Sequence, residues 1–198
     1  MVARSLSFRT PGALTLPART KRRLSPGWRM ALNLIGYQAG WLVTLYGATH
    51  GLSWLGPAAV IVLSAGHLLL SDYPARSLML LGVALATGVV VETAMFQLGL
   101  VVYPTSPEGV PVWMLALWPL FATTLSVGLR WFQSRRFIAA TAGAIFGPLA
   151  YWAGAAAGAI RLPETELSLR YIGLVWMLAF PLLLELARWL ERPQSEVS

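Results

Sequence analysis

Long apolar runs that alternate with basic segments constrain this chain more than any other feature of its sequence. Six such runs are recognisable, at residues 31–49, 54–71, 77–101, 112–131, 136–160 and 170–190. Each is close to the ~20 residues that an α-helix needs to cross a hydrocarbon layer about 30 Å thick. The pattern predicts an all-α fold, a polytopic transmembrane bundle of six helices.

The positions of Lys and Arg indicate how such a bundle would be oriented. If the runs are threaded back and forth, 13 of the 15 basic residues fall on one side, and only Arg161 and Arg170 fall on the other. Translocation of Lys and Arg is disfavoured, so we expect a multi-pass protein of the bacterial inner membrane with both termini in the cytoplasm. Orientation and contact with anionic lipid then explain the net charge of +7. No nucleic-acid partner is expected.

The composition supports a single membrane domain, predicted at residues 30–192. Hydrophobic residues make up 57% of the chain and charged residues only 12%, about half of what a soluble domain contains. Residues 1–29 hold seven basic residues, no acidic residue and three prolines, so we expect a disordered cytoplasmic arm; residues 193–198 form a short cytoplasmic tail. An organellar transit peptide, or translation from Met30, would also explain the arm.

Metal and cofactor chemistry is not expected. The chain contains no cysteine and only two histidines, and His50 and His67 are predicted near opposite faces of the membrane. We therefore expect neither a thiolate site nor a histidine-based metal centre, and we predict no cofactor.

Proline, glycine and aromatic residues predict how the helices end and pack. Pro119, Pro148 and Pro181 lie inside the last three runs, where each would free a helix carbonyl and favour a kinked helix beside a cavity. Small residues at near-helical spacing predict a face for close helix packing, within the chain or against a second copy. These are Gly143, Gly147, Gly154 and Gly158. Tyr103 and Trp113 are predicted in the aromatic belt at the outer boundary.

Glu92 is the most informative polar residue, because an ionisable side chain inside a bilayer is costly. It lies about 22 Å from the inner end of its run at 1.5 Å per residue. A carboxyl group at this depth is expected to be protonated or bonded to a strong donor; a structural hydrogen bond and a chemical role remain equally open. Candidate donors at a similar depth are Tyr46, Trp118, Tyr151 and Trp176, and Gln97 is expected to line the same opening.

A second polar layer is predicted near the cytoplasmic boundary. Its members are Asn33, Gln38, His67, Ser126, Arg130, Thr141 and Glu185. Arg130 and Glu185 are expected to pair. Two explanations are open. Polar residues near the membrane boundary cost little free energy, because their charged ends can reach water. Alternatively, the layer forms a vestibule in which Arg130 holds the phosphate or carboxylate of a lipid head group.

Three runs resemble a family of small bacterial inner-membrane proteins, the domain of unknown function 2878. They are residues 33–41 (NLIGYQAGW), 117–124 (LWPLFATT) and 147–154 (GPLAYWAG), and the likeness covers about 30–190. The resemblance implies a polytopic membrane protein without an assigned activity. Its members are often encoded near fatty-acid-modifying methyltransferases and flavin oxidoreductases, which implies lipid metabolism. Candidate substrate-binding residues in these runs are Asn33, Tyr37, Gln38, Trp118, Thr123 and Tyr151.

Together these observations predict a role in the modification or handling of membrane lipids, with a lipid or another hydrophobic small molecule as ligand. In an enzyme, Glu92 would transfer a proton, Tyr151 or Gln97 would orient the chain, and Arg130 would anchor the head group. Two other classes remain open. The kinked helices would suit a small transporter or flippase, and the glycine face would suit a non-catalytic assembly factor that binds a neighbouring membrane enzyme or forms a homo-oligomer.

Overall fold

The computed structural model describes residues 25–191, which form six α-helices and one short 3₁₀ helix. The α-helices are α1 (Pro26–Thr49), α2 (Leu55–Leu70), α3 (Pro74–Gln97), α4 (Val112–Leu125), α5 (Arg136–Ala156) and α6 (Thr165–Glu191), and the 3₁₀ helix spans Arg130–Ser134. Within this part of the chain, strand-like pairing is limited to one antiparallel bridge between Val102 and Arg161. The all-α prediction is confirmed.

Three of these helices are long and apolar enough to cross a membrane: α3, α5 and α6. The helices α2 and α4 are also apolar but have only 16 and 14 residues. The structure therefore supports a membrane protein with three clear candidate spans, rather than six. The largest difference from the predicted runs is in α4, which ends at Leu125 because the chain turns at residues 126–129 and enters the 3₁₀ helix.

The first helix begins earlier than predicted. Pro26 occupies its first turn, and the Ser25 side chain accepts a hydrogen bond from the Trp28 amide. Proline after a serine N-cap is a common helix start. Proline has no N–H, and N–H groups in the first turn have no intrahelical acceptor in any case. Residues 26–29 therefore belong to α1 and not to the arm. The rest of the predicted arm, residues 1–24, and the predicted tail at 193–198 lie outside the described residues.

Helix α4 lies at the centre of the bundle. It packs against α1, α2, α3 and α6, while α5 packs mainly on α6 and α1 packs mainly on α2 and α4. No substantial interface joins α1 to α5 among the described residues. The bundle is thus closed on most sides of α4 and left open between α1 and α5.

The α5 glycines have two different roles. Gly143 and Gly147 face Trp176 of α6, and a Cβ added at either position would overlap the backbone or the indole of that residue. Gly154 makes only ordinary contacts, since the nearest atom to an added Cβ is 3.6 Å away in Ile160. Gly158 follows the helix with a φ of 86° and ends it, which only glycine does readily. The close approach of α5 therefore involves α6 of the same chain.

Candidate functional site

Glu92 is fully buried and bonded to three donors. Its Oε1 atom accepts hydrogen bonds from Trp118 Nε1 at 2.9 Å and from the Tyr151 hydroxyl, and its Oε2 atom accepts one from the Tyr103 hydroxyl at 2.8 Å. The donors come from α4, α5 and the α3–α4 loop. Both carboxyl oxygens are therefore satisfied inside the bundle, which a buried acid requires.

The small residues of α3 bring the Trp118 indole to Glu92. Gly88 lies one helical turn before Glu92, and a Cβ added there would overlap the Trp118 ring. Ala84, a further turn away, is also fully buried. Without side chains to separate them, α3 and α4 approach closely enough for the indole N–H to reach the carboxyl group.

Tyr103 reaches Glu92 because the α3–α4 loop folds into the bundle. Gly99 ends α3 with a φ of 67°, and the chain then pairs with the α5–α6 loop through two backbone hydrogen bonds between Val102 and Arg161, of 2.9 and 2.8 Å. Burial raises the pKa of the Tyr103 phenol, and the neighbouring Glu92 carboxyl raises it further, so the hydroxyl stays protonated and can donate.

The outer aromatic belt therefore needs correction at two positions. Tyr103 and Trp113 are 0% and 2% exposed and belong to the interior, where their rings meet edge to face at 6.0 Å. Sequence reasoning missed Tyr103 as a partner of Glu92 because it placed this residue in the aromatic belt at the outer boundary. The apolar residues Leu100 and Val101 directly before it, both buried, were the available signal that the loop packs inward.

An aromatic cavity of about 470 Å³ adjoins Glu92. Most of its walls come from α1, α4, α5 and α6, and Glu92 is the acidic residue among the described residues that line it. Its aromatic side chains are Tyr37, Trp41, Trp113, Trp118, Phe121, Phe132, Phe146, Tyr151, Trp176 and Phe180. The Trp118 and Trp176 rings stack at a centroid distance of 5.1 Å.

The aromatic cavity lies between α1 and α5, and exposed residues of both helices, Gln38 and Phe146, contribute to its lining. Gln38, Trp41 and Leu45 of α1 line one edge, and Phe146 and Ala150 of α5 line the other. These two helices form no substantial interface with each other among the described residues. An apolar pocket with a few convergent polar groups is the usual form of a small-molecule site.

A second cavity, the polar vestibule, has a volume of about 1000 Å³ and lies where α1 and α3 begin and α6 ends. Its charged and polar lining includes Arg29, Asn33, His67, Asp72, Arg76, Ser126, Arg130 and Glu191. Arg29 lies 4.0 Å from Asp72, and the Arg76 guanidinium donates to the Leu190 carbonyl at 3.0 Å. Tyr37 lines both cavities.

The predicted pair between Arg130 and Glu185 is not formed. Arg130 lies 3.7 Å from Glu191, and Glu185 pairs with Arg136 at 3.1 Å. The error follows from α4, which ends before residue 130, so that Arg130 lies on the 3₁₀ helix and faces the last turn of α6. All four partners of these two ion pairs are partly exposed, so both pairs are weak.

Several other predicted residues have clear positions. The Asn33 amide donates to the Thr123 carbonyl at 3.0 Å and accepts from the Gly128 amide at 3.1 Å, so it joins α1 to the end of α4. The buried Thr123 hydroxyl donates to the Leu120 carbonyl. Thr141 is exposed and donates to Phe137. Asn33 and Thr123 line the polar vestibule, whereas Gln38 lines the aromatic cavity.

Three residues expected beside Glu92 make no bond to it. Gln97 is exposed and does not line the aromatic cavity, because α3 turns its side chain away from the face of Glu92. Tyr46 is 54% exposed and stacks on His50 at 4.1 Å. Trp176 lines the aromatic cavity, but its N–H bonds to none of the described residues.

The described residues contain no cluster of three His, Asp or Glu side chains that could hold a metal ion. The polar groups at this site are the buried Glu92 carboxyl group, the phenols of Tyr103 and Tyr151 that bond to it, and the indoles of the apolar cavity.

A family model described as "Protein of unknown function (DUF2878)" matches residues 30–182 of the chain. No curated protein and no solved structure was found to match it.

Proposed function

The chain belongs to this family of unknown function, and we propose that it binds the hydrocarbon chain of a membrane lipid in the aromatic cavity, in order to modify that lipid or present it to a partner enzyme. The proposal depends chiefly on one observation, an apolar cavity between α1 and α5 that has Glu92 at its wall and the exposed residues Gln38 and Phe146 in its lining. Since α1 and α5 form no substantial interface among the described residues, we infer that the hydrocarbon chain enters between them. The cavity volume of about 470 Å³ lies in the range of ordinary ligand pockets.

As an enzyme, the protein would use Glu92 to transfer a proton to or from the bound chain. A carboxyl group in an apolar site is a usual general acid or base. Tyr151, Trp118 and Tyr103 would position it, since each bonds to one of its oxygens. As a presenting partner, the protein would use the same bonds to keep the cavity walls in place.

The charge pattern supports a bacterial inner-membrane location with both termini in the cytoplasm. The polar vestibule then faces the cytoplasm, because it contains Arg29, Arg76 and Arg130 from the predicted inner segments. We extend the proposal to six membrane-embedded helices, with the short α2 and α4 bordered by this wet vestibule. An anionic head group would bind there near Arg130 while its chain enters the aromatic cavity.

Comparative lipidomics of a deletion strain tests this function. The strain is complemented with the wild type, with Glu92→Gln, or with Glu166→Gln as a control, whose side chain is 89% exposed in an ion pair with Arg170. A lipid species that returns with the wild type and the control, but not with Glu92→Gln, is the expected result. An identical lipid inventory in all strains, or full function of Glu92→Gln, would contradict the proposal.

A transporter or flippase is the second candidate, because two cavities at different depths meet at Tyr37. It predicts that protein in liposomes accelerates exchange of a fluorescent lipid between leaflets, and that Tyr37→Ala alters the rate. Exchange no faster than in protein-free liposomes would exclude it. The glycine spacing suggested an assembly factor, but Gly143 and Gly147 pack against α6 of the same chain.

A further inference from the structure

A group of basic and hydroxyl side chains lines the polar vestibule where α2 ends beside the start of α1. The Nη2 atom of Arg29 on α1 lies 3.5 Å from the Leu70 carbonyl of α2. Leu70 follows His67 by about one helical turn, so the guanidinium lies near the imidazole ring. Ser71, at the end of α2, shares a hydrogen bond of 2.7 Å with Ser77 of α3. All five residues line the vestibule, so a ligand there meets several donors together.

The two basic side chains can be reached from the vestibule, and neither has a short hydrogen bond to the described residues. The Arg29 side chain is 37% exposed, and it lies 3.5 Å from the Leu70 carbonyl and 4.0 Å from the Asp72 carboxylate. Both distances exceed the roughly 2.7–3.2 Å of an ordinary N–H···O bond. His67 is half-buried, and its ring nitrogens remain accessible and unbonded. An acceptor that enters the vestibule can therefore bond to both side chains.

A phosphate group matches this set of donors. Its several oxygens can accept from a guanidinium, a protonated imidazole and a hydroxyl group at the same time. The Ser71–Ser77 pair uses one of its two hydroxyl hydrogens internally, which leaves the other for a third bond. The nearby Asp72 carboxylate is 51% exposed, so water screens its repulsion of an anion.

We propose that Arg29 and His67 bind the phosphate group of a ligand in the polar vestibule, with His67 in its protonated form. The phosphate belongs to a lipid head group or to a soluble phosphate ester, because the same donors suit both. In the first case the inference rests on the proposed function and narrows it, from an anion near Arg130 to a phosphate held between α1 and α2.

This assignment makes binding depend on pH. Two cations side by side repel each other, and an anion between them removes that repulsion, so the phosphate should bind together with a proton on His67. By residue type, the other ionisable groups in the described lining keep one charge state between pH 6 and pH 8. These are Arg29, Tyr37, Asp72, Tyr73, Arg76, Arg130 and Glu191. Binding is therefore expected to be tighter at pH 6 than at pH 8.

Titration calorimetry with the full chain in dodecyl maltoside, a non-ionic detergent, tests the inference with three probes. Oleoyl lysophosphatidylglycerol carries both phosphate and chain, monooleoylglycerol lacks the phosphate, and glycerophosphoglycerol lacks the chain. The phosphodiester keeps a single negative charge at both pH values, so a change with pH belongs to the protein. At pH 6 the lysophospholipid is expected to bind about tenfold more tightly than monooleoylglycerol, as one charge-assisted hydrogen bond would give. This preference should fall at pH 8.

Variants assign the preference to the two side chains. Arg29→Gln should lower it at both pH values, whereas His67→Gln should remove its pH dependence. Arg170→Gln and His50→Gln are the matched controls and should behave as the wild type. Arg170 is 75% exposed in a pair with Glu166, His50 is exposed, and neither lines the vestibule.

The outcomes separate this inference from the proposed function. Equal affinity of the wild type for the lysophospholipid and monooleoylglycerol would overturn the phosphate site and leave lipid binding intact. A preference that is the same at both pH values, or that persists undiminished in both variants, would overturn the assignment to Arg29 and His67. Binding of glycerophosphoglycerol without either lipid would support a phosphate site for a soluble ester and overturn the proposed function. Failure of all three probes to bind would overturn both.

Discussion

The hydrogen bonds of Glu92 make it the residue whose replacement should be most informative. Glu92→Gln keeps one acceptor oxygen but turns an NH₂ group toward hydroxyl or indole donors, and the Trp118 indole cannot accept in return. We expect a loss of about 1–3 kcal/mol in the free energy of unfolding, measured by thermal or denaturant unfolding in detergent. Glu166→Gln should change it by less than about 0.5 kcal/mol, as exposed substitutions generally do. Equal stability of the two variants would show that the buried network contributes nothing.

Tyr103 and Tyr151 should each contribute separately to that network. Tyr103→Phe and Tyr151→Phe remove one donor to Glu92 without changing the ring, so each should lower the free energy of unfolding by about 1 kcal/mol. Tyr171→Phe, at a position that is 47% exposed, is the control. Because the two tyrosines bond to different carboxyl oxygens, the double variant measures their coupling. No loss in either single variant would contradict the assigned bonds.

Residue chemistry explains which part of the site could be predicted from the sequence. Glu92 was evident because a carboxyl group interrupts a long apolar run, and Trp118 and Tyr151 were candidate donors because helical rise places them at a similar depth. Tyr103 was missed because loop folding does not follow a helical period. The pairing of Arg130 was wrong for the same reason, since it depends on where α4 ends.

At the scale of the elements, the approach of α3 to α4 depends on Gly88. Gly88→Ala would force a Cβ into the Trp118 indole, so we expect a loss of about 1–3 kcal/mol in stability together with displacement of the indole from Glu92. Gly82→Ala on the same helix is the matched control, because nothing lies within 4 Å of the added Cβ, and it should be neutral or stabilising. Unfolding experiments and the tryptophan emission maximum would measure both effects. A Gly88→Ala variant as stable as Gly82→Ala would contradict this packing.

The number and class of the helices could be predicted, but several of their ends could not. Apolar runs report which segments are buried in lipid or protein, and six runs correspond to six helices. Ends depend on local caps: Ser25 and Pro26 begin α1 five residues before the predicted run, whereas α4 ends six residues early at a turn without a proline. The Ser-Pro pair was a readable signal, whereas Gly128 in the turn after α4 was a weak one, because a single glycine is also tolerated inside a helix.

At the scale of the whole molecule, the proposed orientation makes opposite ends of the bundle accessible from opposite sides. The chain has no native cysteine, so single cysteines at Thr105 and Ser134, both exposed, can be labelled without interference. In intact cells an impermeant maleimide should label Thr105→Cys, and it should label Ser134→Cys only after permeabilisation. The reverse pattern would contradict the orientation inferred from the basic residues.

The central claim is that a lipid chain enters the aromatic cavity, and photolabelling tests it most directly. A phosphatidylcholine with a diazirine on its acyl chain is irradiated with the protein in a bilayer, and the adducts are mapped by mass spectrometry. The account predicts adducts at Met114, which is only 7% exposed but lines the cavity, and none at Leu184, which is 1% exposed and lies in the closed core. Adducts confined to outward-facing residues such as Leu178, which is 61% exposed, would mean that lipid stays outside the bundle and would contradict the account.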